Sequence, residues 1–194
     1  MYTFVKLPLH KTLRYYKRKD VRDALLSFAQ GREIAVRYDT YFGKRPDTIE
    51  YEDDILSFAK QGAQSFHCSE ERWTNPRALR TGMKKQEMNS LRTGWDLILD
   101  IDCDHYPYSR LAAHHLLKIL EEEDVTCATA KFSGNKGFHL AVPYEAFPKR
   151  IQGHPTEELF PDAPRRIAAY LTHLLNPRLS KAIISYERGD LRRI

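Results

Sequence analysis

Two short groups of residues have the types and spacing for chemistry. The first is Asp100-Ile101-Asp102, at the end of the apolar run LILDID. On a strand, residues two apart point to the same side. Two carboxylates so placed repel each other unless a cation lies between them or water surrounds them. Hard divalent cations take oxygen ligands of this kind, and Mg²⁺ beside phosphates is often held by one or two carboxylates. Asp100 and Asp102 are therefore candidate catalytic, metal-binding residues for Mg²⁺ or Mn²⁺. The alternative is a strand end entering a polar loop, since Asp104 and His105 follow. The apolar composition of the strand places this end in the core of its sheet.

The second group is Ser133-Gly134-Asn135-Lys136-Gly137-Phe138-His139. Gly134 and Gly137 bracket a tight turn in which backbone N–H groups can approach a ligand. Ser133 can donate a hydrogen bond, Lys136 supplies a point charge, and His139 can donate from a ring nitrogen. With Asn135 beside them, these residues suit a triphosphate. A plain hairpin turn also favours Asn and Gly, so both readings stand on the turn alone. About 30 residues separate the acidic pair from this turn. A strand, one helix and a hairpin can bring the two groups to one sheet face. Paired carboxylates opposite a triphosphate cradle are the parts of a two-metal nucleotidyl-transfer site.

A third feature is basic clustering. Lys6 to Arg22 holds seven Lys and Arg residues against one acid, Asp20, with Tyr15 and Tyr16 interleaved. Arg72 to Arg92 holds six against Glu87, with Glu71 at its border. Lys17, Arg18, Lys19, Arg77, Lys84 and Lys85 are the candidate contacts to a single-stranded nucleic-acid backbone. A solvated basic face is the competing reading.

The elements that must position these groups can be traced by periodicity. Helices are expected over 20–31 (capped by Asp20, with Val21, Ala24, Leu25 and Phe28 inward), 53–61, 111–122 and 164–176. Strands are expected over 33–38, 63–68, 95–102, 126–132 and 138–142, the last two as a hairpin. Glu121 to Asp124 is a solvated acidic run. The pattern is α+β, with a mixed sheet flanked by helices. A single domain, 1–194, is expected. Residues 1–90 form an N-terminal layer and 91–145 carry both motifs.

Composition sets the outer bounds. The chain has 194 residues, 42% hydrophobic and 29% charged, with a net charge of +5. That is enough for a substantial core and favours an acidic partner. Three widely spaced cysteines without a Cys-x-x-Cys pair argue against a disulfide scaffold and a zinc ribbon. No apolar run approaches the length of a membrane span, and none near the N-terminus suits a signal peptide. A soluble protein in a reducing compartment, with no membrane partner, is the expectation.

LILDIDCD followed by KFSGNKGFHLAV resembles the first two motifs of the archaeo-eukaryotic primase superfamily: an apolar strand ending in Asp-x-Asp, then a Ser-Gly-x-(Arg/Lys)-Gly-x-His turn. The segments YYKRKDVRDALL, REIAVRY, FGKRPDTIEY and FHCSEERWTNP, in that order, are similar to the small catalytic subunits of replicative primases. The resemblance covers roughly residues 10–145. It implies a primase catalytic core with an RRM-like portion, and template-directed synthesis of short primers from NTPs or dNTPs on single-stranded DNA. By position it makes Asp100 and Asp102 the metal-binding carboxylates, and Ser133, Lys136 and His139 the triphosphate contacts. It implies a large-subunit partner, and a cytoplasmic, nucleoid-associated location in an archaeon or a nuclear one in a eukaryote.

Two departures qualify it. Family members carry a third carboxylate on a later strand, ahead of a basic stretch. The 55 residues after His139 hold no such motif, with Asp190 and Glu187 the late acids of interest. A second chain supplying the missing motif, a non-catalytic nucleotide-binding subunit, and a primase-polymerase acting in repair stay open as alternatives. Many small subunits also carry a zinc knuckle after Asp-x-Asp. Here Cys103, His105, His114, His115 and Cys127 lack zinc spacing, so no structural zinc is expected.

Overall fold

The computed structural model describes residues 7–134 and 136–189. The chain divides into two compact units, Met1–Gly94 and Trp95–Ile194. The architecture is α+β, and the described strand ladders are antiparallel where a mixed sheet is expected from sequence. Among the described residues no helix is long and apolar enough to cross a membrane.

In the first unit, α1 (Leu9–Tyr16) and α2 (Lys19–Ala29) lead into β1 (Ile34–Tyr38) and β2 (Tyr41–Phe42). Then come α3 (Glu52–Lys60), β3 (Ser65–Cys68), β4 (Glu71–Trp73), α4 (Lys85–Leu91) and β5 (Arg92–Trp95). The sheet order is β2-β1-β3. Ile34 and Val36 alternate onto one face and pack with Tyr16, Ala29, Ile55 and Ala59. Phe28 is 69% exposed, against the inward position expected of it. The buried stripe of α2 passes instead through Val21, Leu25, Leu26 and Ala29. Asp20 sits inside the first turn of α2 and pairs with Arg18, so it does not cap the helix. Burial pushes the Tyr16 hydroxyl up to about 12, and it donates to the Gln64 carbonyl at 2.8 Å.

The second unit contains β6 (Leu97–Ile101), α5 (Tyr106–Glu122), β7 (Thr129–Phe132), β8 (Phe138–Val142), β9 (Arg150–Ile151), β10 (His154–Pro155) and α6 (Asp162–Glu187). The main sheet runs β6-β8-β7. Leu97, Leu140 and Val142 turn to one side and bury against Ala112, Leu116, Leu171 and Leu175 of the two helices. The helices are antiparallel: Glu122 pairs with Arg178, while Tyr108 donates to Glu187. Trp95 is fully buried, and its indole N–H donates to the Thr156 carbonyl at 2.8 Å.

Several expected boundaries move, and three of the shifts have an identifiable cause. The strand expected over 95–102 divides at Asp96, whose carboxylate accepts from the Tyr144 N–H at 3.0 Å. The helix expected from Leu111 begins at Tyr106, because Pro107 suits a first turn where its missing N–H leaves no gap. The helix expected to end at Asn176 continues through Pro177 to Glu187. Pro177 removes one backbone donor, and Leu179, packed against the core, and the buried Ala182 hold the turns beyond it.

Candidate functional site

The hairpin register brings the two sequence groups together. In the β6–β8 ladder Asp100 lies opposite His139, and Ile101 opposite Phe138. In the β7–β8 ladder Lys131 lies opposite the same His139. Directly paired residues share a face. Asp100, His139 and Lys131 therefore form one row across the sheet, on the side away from α5 and α6. The His139 Nε2 stands 3.5 Å from an Asp100 carboxylate oxygen.

Asp102 follows the last residue of β6 on the same side as Asp100 by alternation. It is exposed and makes no ion pair or hydrogen bond with the described residues. Asp100 is 69% exposed. The sequence places this strand in the interior of its sheet, but β6 is an edge strand: β8 pairs with one side, and no described strand pairs with the other. The exposed position keeps both carboxylates hydrated, which removes the burial cost that two like charges would carry in a core.

Beneath that open edge runs a cleft of about 340 Å³, lined by Ile98 to Asp102 and by Ala112, Leu116, Ala168, Leu171, Thr172 and Leu175. The acidic pair thus sits on the lip of an apolar groove.

The turn between β7 and β8 is held from within. The Ser133 N–H donates to the Gly137 carbonyl at 3.0 Å, and the Gly137 N–H donates to the Ser133 hydroxyl oxygen at 3.2 Å. The Gly137 N–H is therefore engaged inside the turn and is not offered to a ligand. The Ser133 hydroxyl keeps its own proton to donate. Gly134 has φ +94°, in the left-handed region that favours glycine. Gly137 lies flat against the Ile101 carbonyl oxygen, where a Cβ would overlap that oxygen. This close approach seats the turn beside the acidic strand. The Lys136 ammonium reaches the Asp104 carboxylate at 3.4 Å. Asn135 lies outside the described residues, as does Asp190.

Two side chains join the site that the sequence motifs did not single out. Lys131 is exposed and without an ion pair among the described residues. Asp104 holds Lys136. The signal for Lys131 is the hairpin itself, whose ladder pairs 131 with 139. Glu187 is engaged by the Tyr108 hydroxyl at 2.6 Å. It does not join Asp100 and Asp102, and no three His, Cys, Asp or Glu side chains gather as a metal-binding group among the described residues.

The basic residues of the first unit are partly neutralised. Arg18 pairs with Asp20, Lys19 with Asp23, Arg77 with Glu50 and Arg80 with Glu87. Lys17, Lys84 and Lys85 are exposed. Exposed pairs contribute little and exchange readily with a phosphate.

The site therefore offers two open carboxylates for a hard cation, with Lys131, Lys136, His139 and a serine hydroxyl on the neighbouring strands for an anion. Two carboxylates fit an ion that shares its remaining ligands with phosphate and water; they do not make a closed metal cage. No protein-family model matches the chain, and no curated protein matches it either.

Proposed function

We propose that this chain is the catalytic unit of a DNA primase, a template-directed nucleotidyltransferase that builds short RNA or DNA primers on single-stranded DNA. The observation that carries it is the β6–β8 register, which sets Asp100 against His139 and Gly137 against Ile101. The acidic pair and the basic glycine turn then occupy one end of one sheet. The order β6-α5-β7-β8-α6, with the short β9 and β10 inserted before α6, supports the RRM-like portion implied by the motifs, short of the last strand of a β-α-β-β-α-β unit.

In this reading Asp100 and Asp102 hold Mg²⁺ or Mn²⁺ together with the nucleotide. A bound divalent ion supplies activation of the attacking 3′-hydroxyl and neutralisation of the leaving pyrophosphate. Ser133 donates to a phosphate oxygen. Lys136 and Lys131 balance the triphosphate charge, and His139, positioned by Asp100, donates from its ring. Lys17, Arg18, Lys19, Arg77, Lys84 and Lys85 are the proposed template contacts, binding backbone without reading sequence.

Lys136→Ala is expected to raise the KM for nucleotide about five- to tenfold and change kcat less, as loss of one charge-assisted contact does. Steady-state kinetics over a nucleotide series checks this. An unchanged KM would make the turn a plain hairpin.

One observation favours a second reading, in which a further chain completes the site. The outer edge of β6 has no described partner strand, and an apolar cleft runs beneath it. A strand from a large subunit or another chain would pair there and could carry the third carboxylate. Primer synthesis that appears only when such a partner is added would favour this form.

A further inference from the structure

We infer that the outer face of the β2-β1-β3 sheet is a stacking platform for single-stranded nucleic acid, with Phe42 and His67 as the rings that receive its bases. The inference stands on the first unit alone and adds base stacking to the backbone contacts proposed above.

Alternation divides the side chains of this sheet between two faces. Ile34, Val36 and Phe66 turn towards the helices and pack in their core. Ala35 and Arg37 turn the other way. The register sets Phe42 and Ser65 opposite Arg37, and His67 opposite Ala35, so these residues share the outer face. The Phe42 and His67 rings meet edge to face, with centroids 5.3 Å apart. The small Ala35 of the central strand leaves room for that contact and is itself 6% exposed. The Ser65 hydroxyl oxygen and the His67 Nε2 stand 2.9 Å apart, which fixes the imidazole. Phe42 is nevertheless 50% exposed, and His67 is exposed beside it. An oriented pair of rings left open on a sheet face is a surface for a flat ligand.

Charge selects that ligand. Residues 1–94 carry 18 Lys and Arg against 12 Asp and Glu, whereas residues 95–194 carry 13 against 14. The positive excess of the chain thus lies in the unit that holds the rings. Lys44, two residues beyond Phe42, is exposed and has no ion pair among the described residues. Glu33 shares the outer face by alternation and lines a cleft of about 600 Å³ with Arg45, Glu71, Trp73, Met83 and Met88. Arg45 pairs with Glu33 and Arg92 with Glu71, so the two acids are neutralised towards a phosphate. Lys84 and Lys85 lie between Met83 and Met88 in the chain and are exposed. Rings bordered by basic side chains match a polyanion that carries flat apolar groups. A duplex hides its base faces in its own stack, so the platform suits a single strand, and every base has a π-face to offer.

The test is fluorescence anisotropy on the full chain in EDTA, comparing a labelled oligothymidylate with an abasic strand of equal length. The wild type is expected to bind the oligothymidylate more tightly. Phe42→Ala is expected to weaken the oligothymidylate about tenfold and leave the abasic strand unchanged, with Phe42→Trp restoring the wild-type ratio. His67→Ala should act in the same direction. Tyr41→Ala, on the opposite face of β2, should change neither affinity. Equal affinity of the wild type for the two strands would overturn the stacking role. An equal loss for both strands in Phe42→Ala, or a loss in Tyr41→Ala that matches it, would overturn it too. So would a folded wild type that binds neither strand, including one that pairs with a second copy through this face. EDTA takes the acidic pair out of the assay, so each of these results leaves the metal and nucleotide reading of the second unit standing.

Discussion

Asp102→Ala is expected to reduce nucleotide incorporation at least about 100-fold while leaving the fold unchanged. The two halves of this prediction have separate causes. Asp102 is exposed and has no ion pair or hydrogen bond with the described residues, so its removal leaves no buried group unsatisfied. Surface changes of this kind fall within about 0.5 kcal/mol. Two carboxylates about 7 Å apart on one strand face repel by only about 0.6 kcal/mol in water, so alanine relieves a small strain. The activity loss follows from the metal role, because groups that stabilise transition-state charge are commonly worth about 100- to 1,000-fold. Thermal unfolding and single-turnover incorporation, measured on the same preparation, separate the two. Retained incorporation would remove Asp102 from the metal site.

Gly137→Ala is expected to destabilise the second unit by about 1–3 kcal/mol and to weaken nucleotide binding with it. A Cβ at this position overlaps the Ile101 carbonyl oxygen and comes within 3.3 Å of the Ser133 hydroxyl. A backbone carbonyl inside a ladder cannot swing aside as a flexible side chain would. The turn must lift from β6, carrying Ser133 and Lys136 away from Asp100 and Asp102. Gly134→Ala is the control. Its φ is +94°, but nothing lies within 4 Å of its Cβ position. It carries backbone strain of about 1 kcal/mol and no clash. Amide exchange across β6 and β8 should therefore quicken far more in Gly137→Ala than in Gly134→Ala. Equal exchange in the two variants would mean that the close approach does not hold the site together.

How much of this was legible in the sequence depends on whether the deciding interaction is local. The hairpin was legible, because the Gly-x-x-Gly turn and its flanking apolar residues lie within a few positions of one another. That pairing, counted outward from position 135, also reaches Lys131. The helices of the first unit were legible in existence, while Phe28 shows how a one-residue shift of the stripe moves a large ring into solvent. The division of the strand at Asp96 was hidden, since its cause is a hydrogen bond to Tyr144, 48 residues away. The continuation of α6 past Pro177 was hidden for the same reason. Propensity predicts a stop, and the packing of Leu179 and the burial of Ala182 beyond the proline outweigh it. Strand position within a sheet was the least legible feature. LILDI is apolar enough for an interior strand, and the cleft along its outer edge explains how such a strand can stand at the rim.

The most direct test of the central claim is metal-dependent nucleotide binding by the full chain, with the Asp102→Ala and Lys136→Ala variants alongside. Binding requires only the carboxylate pair and the turn, so it reads the site whether or not a further chain completes it. Wild-type protein should bind ATP in the presence of Mg²⁺ or Mn²⁺ and much more weakly in EDTA. Asp102→Ala should lose the metal dependence, and Lys136→Ala should lose affinity with the metal dependence intact. Nucleotide binding that is indifferent to metal and to both substitutions would contradict the claim, and would leave Asp100 and Asp102 as the polar end of an edge strand.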